Sequence, residues 1–268
     1  MKNYLQELNS EQQKAVLHID GPLIVIAGAG SGKTRVITCR IANMLNNKIS
    51  AYNILALTFT NKAAKEMRNR INQITQPYKA ASLWMGTFHS MFAKILRIES
   101  NRFNYPSNFT IYDTEDSKSL VKSIIKELEL DKEIYKPNVI RNRISSLKNH
   151  FIKSKDYNKR PELTQTDKIA KRDDFGRIYQ IYEKRCQKSS ALDFDDLLLK
   201  TYELFEENPD ILLKYQEKFK YILIDEYQDT NFVQYLIIKK LAALYENICV
   251  VGDDAQSIYS FRGANIQN

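Results

Sequence analysis

The stretch Leu23-Ile24-Val25-Ile26-Ala27-Gly28-Ala29-Gly30-Ser31-Gly32-Lys33-Thr34 decides the fold. Four apolar residues, three of them β-branched, read as a buried strand, and the small residues after them lead straight into a helical pattern from Lys33 to Leu45. Small side chains let successive backbone N–H groups turn inward around phosphate oxygens. Lys33 adds a positive charge near the β and γ phosphates, and the Thr34 hydroxyl can ligate Mg²⁺. The usual pattern opens on glycine where this chain has Ala27, so the strand-loop-helix context carries the assignment.

Similar apolar runs recur at Ile54 to Thr58, Tyr221 to Ile224 and Ile248 to Val251, with a weaker one at Ser82 to Met85. Helical patterns follow most of them, at Ala63 to Ile74 and Phe232 to Leu244. This alternation predicts βαβ units: a parallel sheet covered by helices on both faces, with its active edge at the carboxyl ends of the strands. The run Tyr221-Ile222-Leu223-Ile224 ends on Asp225-Glu226, two adjacent carboxylates at a strand tip. They can split roles, Asp225 organising a metal and Glu226 polarising an attacking water, so hydrolysis is the expected chemistry.

The chain has 268 residues, 43% hydrophobic and 27% charged, with 8 Gly and 6 Pro, which excludes collagen-like or linker-dominated architecture. Cys39, Cys186 and Cys249 lie far apart with no C-x-x-C, which points to a reducing compartment and no thiolate metal framework. With three histidines and no ligand spacing, zinc is not supported. A polar N-terminus and short apolar runs predict a cytoplasmic protein with no membrane segment.

The net charge of +8 is uneven. There are 11 Lys/Arg against 4 Asp/Glu over residues 1–85, 22 against 14 over 86–190, and 7 against 14 over 191–268. The middle third is densest from Lys136 to Arg160, where Lys136, Arg141, Arg143, Lys148, Lys153, Lys155, Lys159 and Arg160 face only Asp156. That run suits a polyanion, and it equally suits a solvated face. Helical spacing recurs through this third. Leu120, Val121, Ile124, Ile125 and Leu128 make one face; a second helix begins at Pro137 and carries Ile140, Ile144, Leu147 and Phe151; a third holds Phe175, Ile178, Tyr179 and Tyr182.

Seven stretches in order resemble the motifs of the UvrD/PcrA/Rep branch of superfamily 1 DNA helicases: Leu8 to Gln13, the phosphate loop, Thr58 to Ala64, Gly86 to Ser90, Leu192 to Leu197, Asp225 to Thr230 and Val251 to Ala264. The resemblance spans nearly the whole chain. It implies a RecA-like P-loop lobe from residues 1–85 and 190–268, with 86–189 inserted as an all-helical accessory subdomain. The chain end at Arg262 to Asn268 reads as a fragment boundary, with a second motor lobe beyond it.

The resemblance also implies residue roles. Gln12 reads the adenine edge, Arg35 lies near the nucleotide or on an exposed helix start, and Gln256 senses the γ-phosphate, with Gln228 and Asp229 supporting that network. Single-stranded DNA falls to Phe59, Asn61, His89, Tyr259, Phe261 and Arg262, flat rings stacking on unpaired bases and Arg262 holding phosphate. Many family members carry Trp at the position of Phe261, which reduces stacking area here. Phe59 and Phe88 also suit the sheet core, and His89 a core histidine. The implied activity is an ATP·Mg²⁺-driven helicase motor moving on single-stranded DNA toward duplex junctions, 3′ to 5′, in repair or replication. The alternatives are the motor half of a helicase-nuclease, or a nucleic-acid-binding module with a vestigial ATP site.

Overall fold

A computed structural model describes residues 4–103 and 105–253. In chain order the elements are α1 (Ser10–Leu17), β1 (Leu23–Ile26), α2 (Lys33–Asn46), β2 (Ile54–Thr58), α3 (Asn61–Ile74), β3 (Trp84–Thr87), α4 (Phe88–Ile98), β4 (Thr110–Tyr112), α5 (Thr114–Glu127), α6 (Pro137–Asn149), α7 (Ser154–Tyr157), α8 (Pro161–Ile169), α9 (Phe175–Lys188), β5 (Ala191–Asp193), α10 (Phe194–Glu207), α11 (Pro209–Lys218), β6 (Tyr221–Ile224), α12 (Phe232–Ala242) and β7 (Ile248–Gly252). They divide into two compact units, residues 1–92 with 204–268, and residues 93–203. No described helix is long and apolar enough to cross a membrane.

The first unit is built on a five-stranded sheet of order β1-β7-β6-β2-β3, every neighbouring pair parallel. Strands β2 and β3, joined through α3, and β6 and β7, joined through α12, lie side by side in parallel as a crossover helix permits, while β1 pairs with β7 from the far end of the chain. The register aligns Ile26 with Gly252, Ile224 with Val250, Leu57 with Ile224, and Thr58 with Thr87, so all five carboxyl ends share one edge. Beneath that edge Ile37, Ile41 and Met44 of α2 and Met67 and Ile71 of α3 pack on Ile54, Ala56, Met85, Leu223, Cys249 and Val251 of the strands. At about 1.5–3 kcal/mol for each large apolar side chain removed from water, this core holds the edge rigid.

One expectation is corrected at β1. It reads as a strand buried on both faces, yet among the described residues it is an edge strand, with Ile24 and Ile26 each 69% exposed. Four apolar residues in a row do not reveal which strand stands last in the sheet.

The second unit has its own core, with Val121 and Ile124 of α5, Ile140, Ile144 and Leu147 of α6, and Phe175, Ile178, Tyr179, Tyr182 and Cys186 of α9. The helical faces expected at Pro137 and Phe175 are those found. Phe151, expected on the face of the second helix, lies beyond its end at φ 58° and sets its ring on Tyr202. The unit is also not all-helical, because β4 and β5 pair in parallel from Thr110↔Ala191 to Tyr112↔Asp193. Residues 190–203 fall in this unit rather than the first.

The basic run from Lys136 to Arg160 is not one free face. Lys148 is buried, its ammonium 2.6 Å from Asp193 and 2.7 Å from Asp196. Arg143 pairs with Asp167 at 3.1 Å, Lys153 with Glu203, and Lys159 with Asp156 at 3.2 Å. Acids distant in sequence take up charges that look unopposed locally. The buried triad organises a helix start. Asp193 precedes α10 and accepts the Asp196 N–H at 2.8 Å, while the Asp196 carboxylate accepts the Asp193 N–H at 3.2 Å. This is the reciprocal box that satisfies orphan donors at a helix N-terminus. Its two carboxylates are tolerated in the interior because they share the Lys148 ammonium and the Tyr182 hydroxyl donates to Asp193 at 2.8 Å. For Lys148 burial opposes the charged form, and the two aspartates outweigh it, holding the ammonium well above the usual lysine range.

Candidate functional site

The loop between β1 and α2 is shaped by two glycines in the left-handed region, Gly30 at φ 73° and Gly32 at φ 88°. A side chain at either would strain the backbone, and nothing lies within 4 Å of the position a Cβ would take at Gly28 or Gly30, so the cradle is open above them. The Ala27 N–H donates to Gly252 O at 3.0 Å, pinning the loop's start to the tip of β7. Within the loop the Ser31 hydroxyl donates to Gly28 O at 2.6 Å, and its N–H donates to the same oxygen at 3.3 Å. Ala29 stands exposed between Gly28 and Gly30. Gly32 caps α2 with no side-chain bond, leaving the first N–H groups of a 14-residue helix facing the cradle, where its dipole favours an anion.

Lys33 opens that helix. Its side chain is 8% exposed and its ammonium lies 3.2 Å from Asp253 Oδ2, at the tip of β7. The Thr34 hydroxyl faces Asp225 Oδ2 at 3.4 Å. The sheet order explains the meeting, since β1 and β6 flank β7 and the three tips form one cluster. Asp225 is buried, and its other oxygen accepts the Glu226 N–H at 3.1 Å. Glu226 itself adopts φ 52°, and its carboxylate accepts from Gln228 Nε2 at 2.8 Å. A hydroxyl and a carboxylate oxygen make a hard donor pair of the kind Mg²⁺ takes together with phosphate oxygens, so these residues fit Mg²⁺·nucleotide.

Burial, and after it the neighbouring Glu226 charge, push the Asp225 carboxyl up to about 6. In the unfolded chain an aspartate titrates near 4. Between those values the folded protein retains a proton that the unfolded chain releases, so stability falls as pH rises through the interval and the full cost stands above it. Asp225→Asn is therefore expected to stabilise the metal-free protein at pH 7.5 by about 2–3 kcal/mol and to have little effect at pH 4. Urea unfolding in EDTA at both pH values checks this.

Gln12 lies against the loop, donating from Nε2 to Ser31 O at 2.9 Å and accepting the Asn9 N–H at 3.1 Å as part of the α1 capping box. Arg35 is exposed, with its guanidinium 3.7 Å from Glu7 Oε2 and donating to Glu7 O at 3.3 Å. The DNA candidates on described residues stand at the tips of the neighbouring strands β2 and β3. Half-buried Phe59 meets the Phe88 ring edge-on at 5.7 Å. Phe88 is 1% exposed and continues into Phe92 at 6.0 Å, which makes it a core residue. Asn61 is exposed at the first position of α3, whose cap Thr60 accepts the Ala63 N–H at 3.1 Å. His89 is half-buried in the first turn of α4. Gln256, Tyr259, Phe261 and Arg262 lie outside the described residues.

Asp253, next to the Gly252 tip, carries no role in the sequence reading although its carboxylate holds the Lys33 ammonium. Its only local signal is its place after a strand ending in glycine.

A phosphate cradle at one strand tip, with the hydroxyl of the helix it opens meeting a buried acid from the next but one strand, defines a P-loop nucleotide-binding lobe of the RecA-like kind. The comparisons narrow the class. Residues 8–268 match the UvrD/REP helicase N-terminal domain, and the chain belongs to that family. It is similar to the ATP-dependent DNA helicase PcrA of Staphylococcus aureus (strain Mu50 / ATCC 700699), 45% identical over the whole chain, and to that of Staphylococcus epidermidis (strain ATCC 12228 / FDA PCI 1200), 46% identical. The chain spans 36% of the length of each relative.

Proposed function

We propose that this chain is the first motor lobe, with its accessory unit, of an ATP-dependent DNA helicase that couples hydrolysis to movement along single-stranded DNA. The contact that carries the reading is Thr34 Oγ1 to Asp225 Oδ2 at 3.4 Å, beside the open cradle. The loop from Ala27 to Thr34, through the backbone N–H groups it does not use internally, and the Lys33 ammonium bind the phosphates, Gln12 and Arg35 flank the base and sugar, and Thr34 and Asp225 hold Mg²⁺. When bound, the ion neutralises charge between the β and γ phosphates. Glu226 orients the attacking water and accepts its proton. Gln256 reads the γ-phosphate.

Single-stranded DNA lies over the tips of β2 and β3, on Phe59, Asn61 and His89, and reaches Tyr259, Phe261 and Arg262. Stacking on ring faces tolerates any base, as a translocating motor needs. Among the described residues the nucleotide and DNA candidates stand on one sheet edge, at the tips of neighbouring strands. The resemblance of the sequence motifs implies 3′ to 5′ movement, unwinding at junctions, a place in repair or replication, and a cytoplasmic setting. A vestigial site would have no reason to keep Lys33, Thr34, Asp225 and Glu226 together.

A second lobe, by this reading, closes the cleft and adds arginines to the γ-phosphate, an effect worth about 10³–10⁵ in rate where such a residue is supplied. ATP turnover with and without single-stranded DNA tests the proposal. The full-length protein is expected to show strong stimulation that Lys33→Ala abolishes, and these 268 residues alone little turnover. Robust stimulated turnover by the chain alone would remove the two-lobe part of the reading.

A further inference from the structure

The side chain of Gln228, on the turn that follows β6, has both ends of its amide engaged between two strand tips. Its Nε2 donates to Glu226 Oε2 at 2.8 Å, at the tip of β6. Its Oε1 accepts the Asp253 N–H at 3.0 Å, at the tip of β7. The orientation is chemically unambiguous, because a carboxylate can only accept and a main-chain N–H can only donate. Gln228 is buried, so an amide turned the other way would leave four groups mismatched.

Two further features mark this bridge as built. Glu226 sits at φ 52°, a left-handed conformation that a side-chain-bearing residue holds only when its surroundings impose it. At Gly252 a Cβ would lie 2.8 Å from Gln228 Oε1, so the last residue of β7 must lack one for the amide to stand where it does. The same Asp253 whose N–H anchors Gln228 holds the Lys33 ammonium through its carboxylate. One amide thus ties the acid on β6 to the strand tip that also faces the phosphate-loop lysine.

We infer that Gln228 is a positioning residue: it fixes the Glu226 carboxylate against the main chain of β7 and so governs the water-polarising step, leaving nucleotide binding to the loop. The inference rests on the hydrolytic reading above. Glutamate at this position would set a carboxylate against a carboxylate, and methionine would fill the space without either bond.

The test uses the full-length protein with saturating single-stranded DNA. It measures ATP turnover, affinity for a fluorescent ATP analogue, and the urea midpoint. Gln228→Met and Gln228→Glu are each expected to lower kcat by about 10–100-fold, the scale of a misplaced catalytic group, with nucleotide affinity within about threefold of wild type. Gly252→Ala leaves Gln228 in place but forces its Oε1 aside, and is expected to lower kcat about 3–10-fold in the same pattern. On a Glu226→Gln background, Gln228→Met should have no further effect, which a purely structural residue would not satisfy. A Gln228→Met kcat within twofold of wild type, an affinity falling in parallel with kcat, or full additivity with Glu226→Gln would overturn the inference. If Glu226→Gln itself leaves turnover unchanged, the hydrolytic reading fails first and takes this inference with it.

Discussion

Glu226→Gln is expected to lower ATP turnover of the full-length protein by about 10²–10⁴-fold while Mg²⁺·ATP still binds with near-native affinity. The substitution keeps the shape of the side chain and removes its capacity to take a proton. In the proposed site the phosphates belong to the loop from Ala27 to Thr34 and the metal to Thr34 and Asp225, whose carboxylate meets the Thr34 hydroxyl, so neither depends on Glu226. The remaining rate would come from orientation of the nucleotide alone. Rapid-quench single-turnover kinetics, with nucleotide affinity measured in parallel, separate the two quantities. A loss of affinity matching the loss of rate would mean that Glu226 holds the nucleotide rather than activating water.

The second large effect lies in the accessory unit. Lys148→Met is expected to destabilise that unit by about 3–5 kcal/mol, the cost of leaving buried charge without its partner. Lys148 is 1% exposed and answers two carboxylates, Asp193 and Asp196, that close the start of α10. Burial first, and then the Asp193 charge, push the Asp196 carboxyl up, and Lys148 opposes that rise. Without the ammonium the pair must take up a proton or rearrange. Adding Asp196→Asn to Lys148→Met should recover part of the loss, because one unpaired charge then remains where two stood. Denaturant unfolding followed by a probe in residues 93–203 reads both variants. A change below about 1 kcal/mol for Lys148→Met would show that the triad is solvated rather than buried.

The parts of this protein legible in its sequence are those whose chemistry is local. A strand, six small residues and Lys33-Thr34 form one continuous device, so the phosphate loop and the start of α2 are readable without knowing what surrounds them. Asp225-Glu226 is readable for the same reason, being a strand end with two acids. What lay beyond reading depends on partners far along the chain. Lys148 looks like one more surface lysine in a basic run, and its acids are about 45 residues away. Lys33 meets Asp253 across 220 residues, a pairing made only by β7 lying beside β1. The exposure of Ile24 and Ile26 on β1 among the described residues depends on what packs over that face, which an apolar run of four does not encode. Strands β4 and β5 have three residues each, too short to show a period of two against the surrounding helices. Phe88 and Phe59 shared one ambiguity as core or stacking rings. Burial resolves Phe88 to the core and leaves Phe59 at the strand tip, partly open.

The glycine-rich loop, Lys33, Thr34 and the Asp225 carboxylate, in the proposed function, form one site for a metal-bound triphosphate. Calorimetric titration of the 268-residue chain with ATP, with Mg²⁺ and with EDTA, tests it most directly. Saturable binding is expected that weakens at least tenfold without Mg²⁺ and is lost in Lys33→Ala. Binding of equal strength in EDTA and in Lys33→Ala would contradict it.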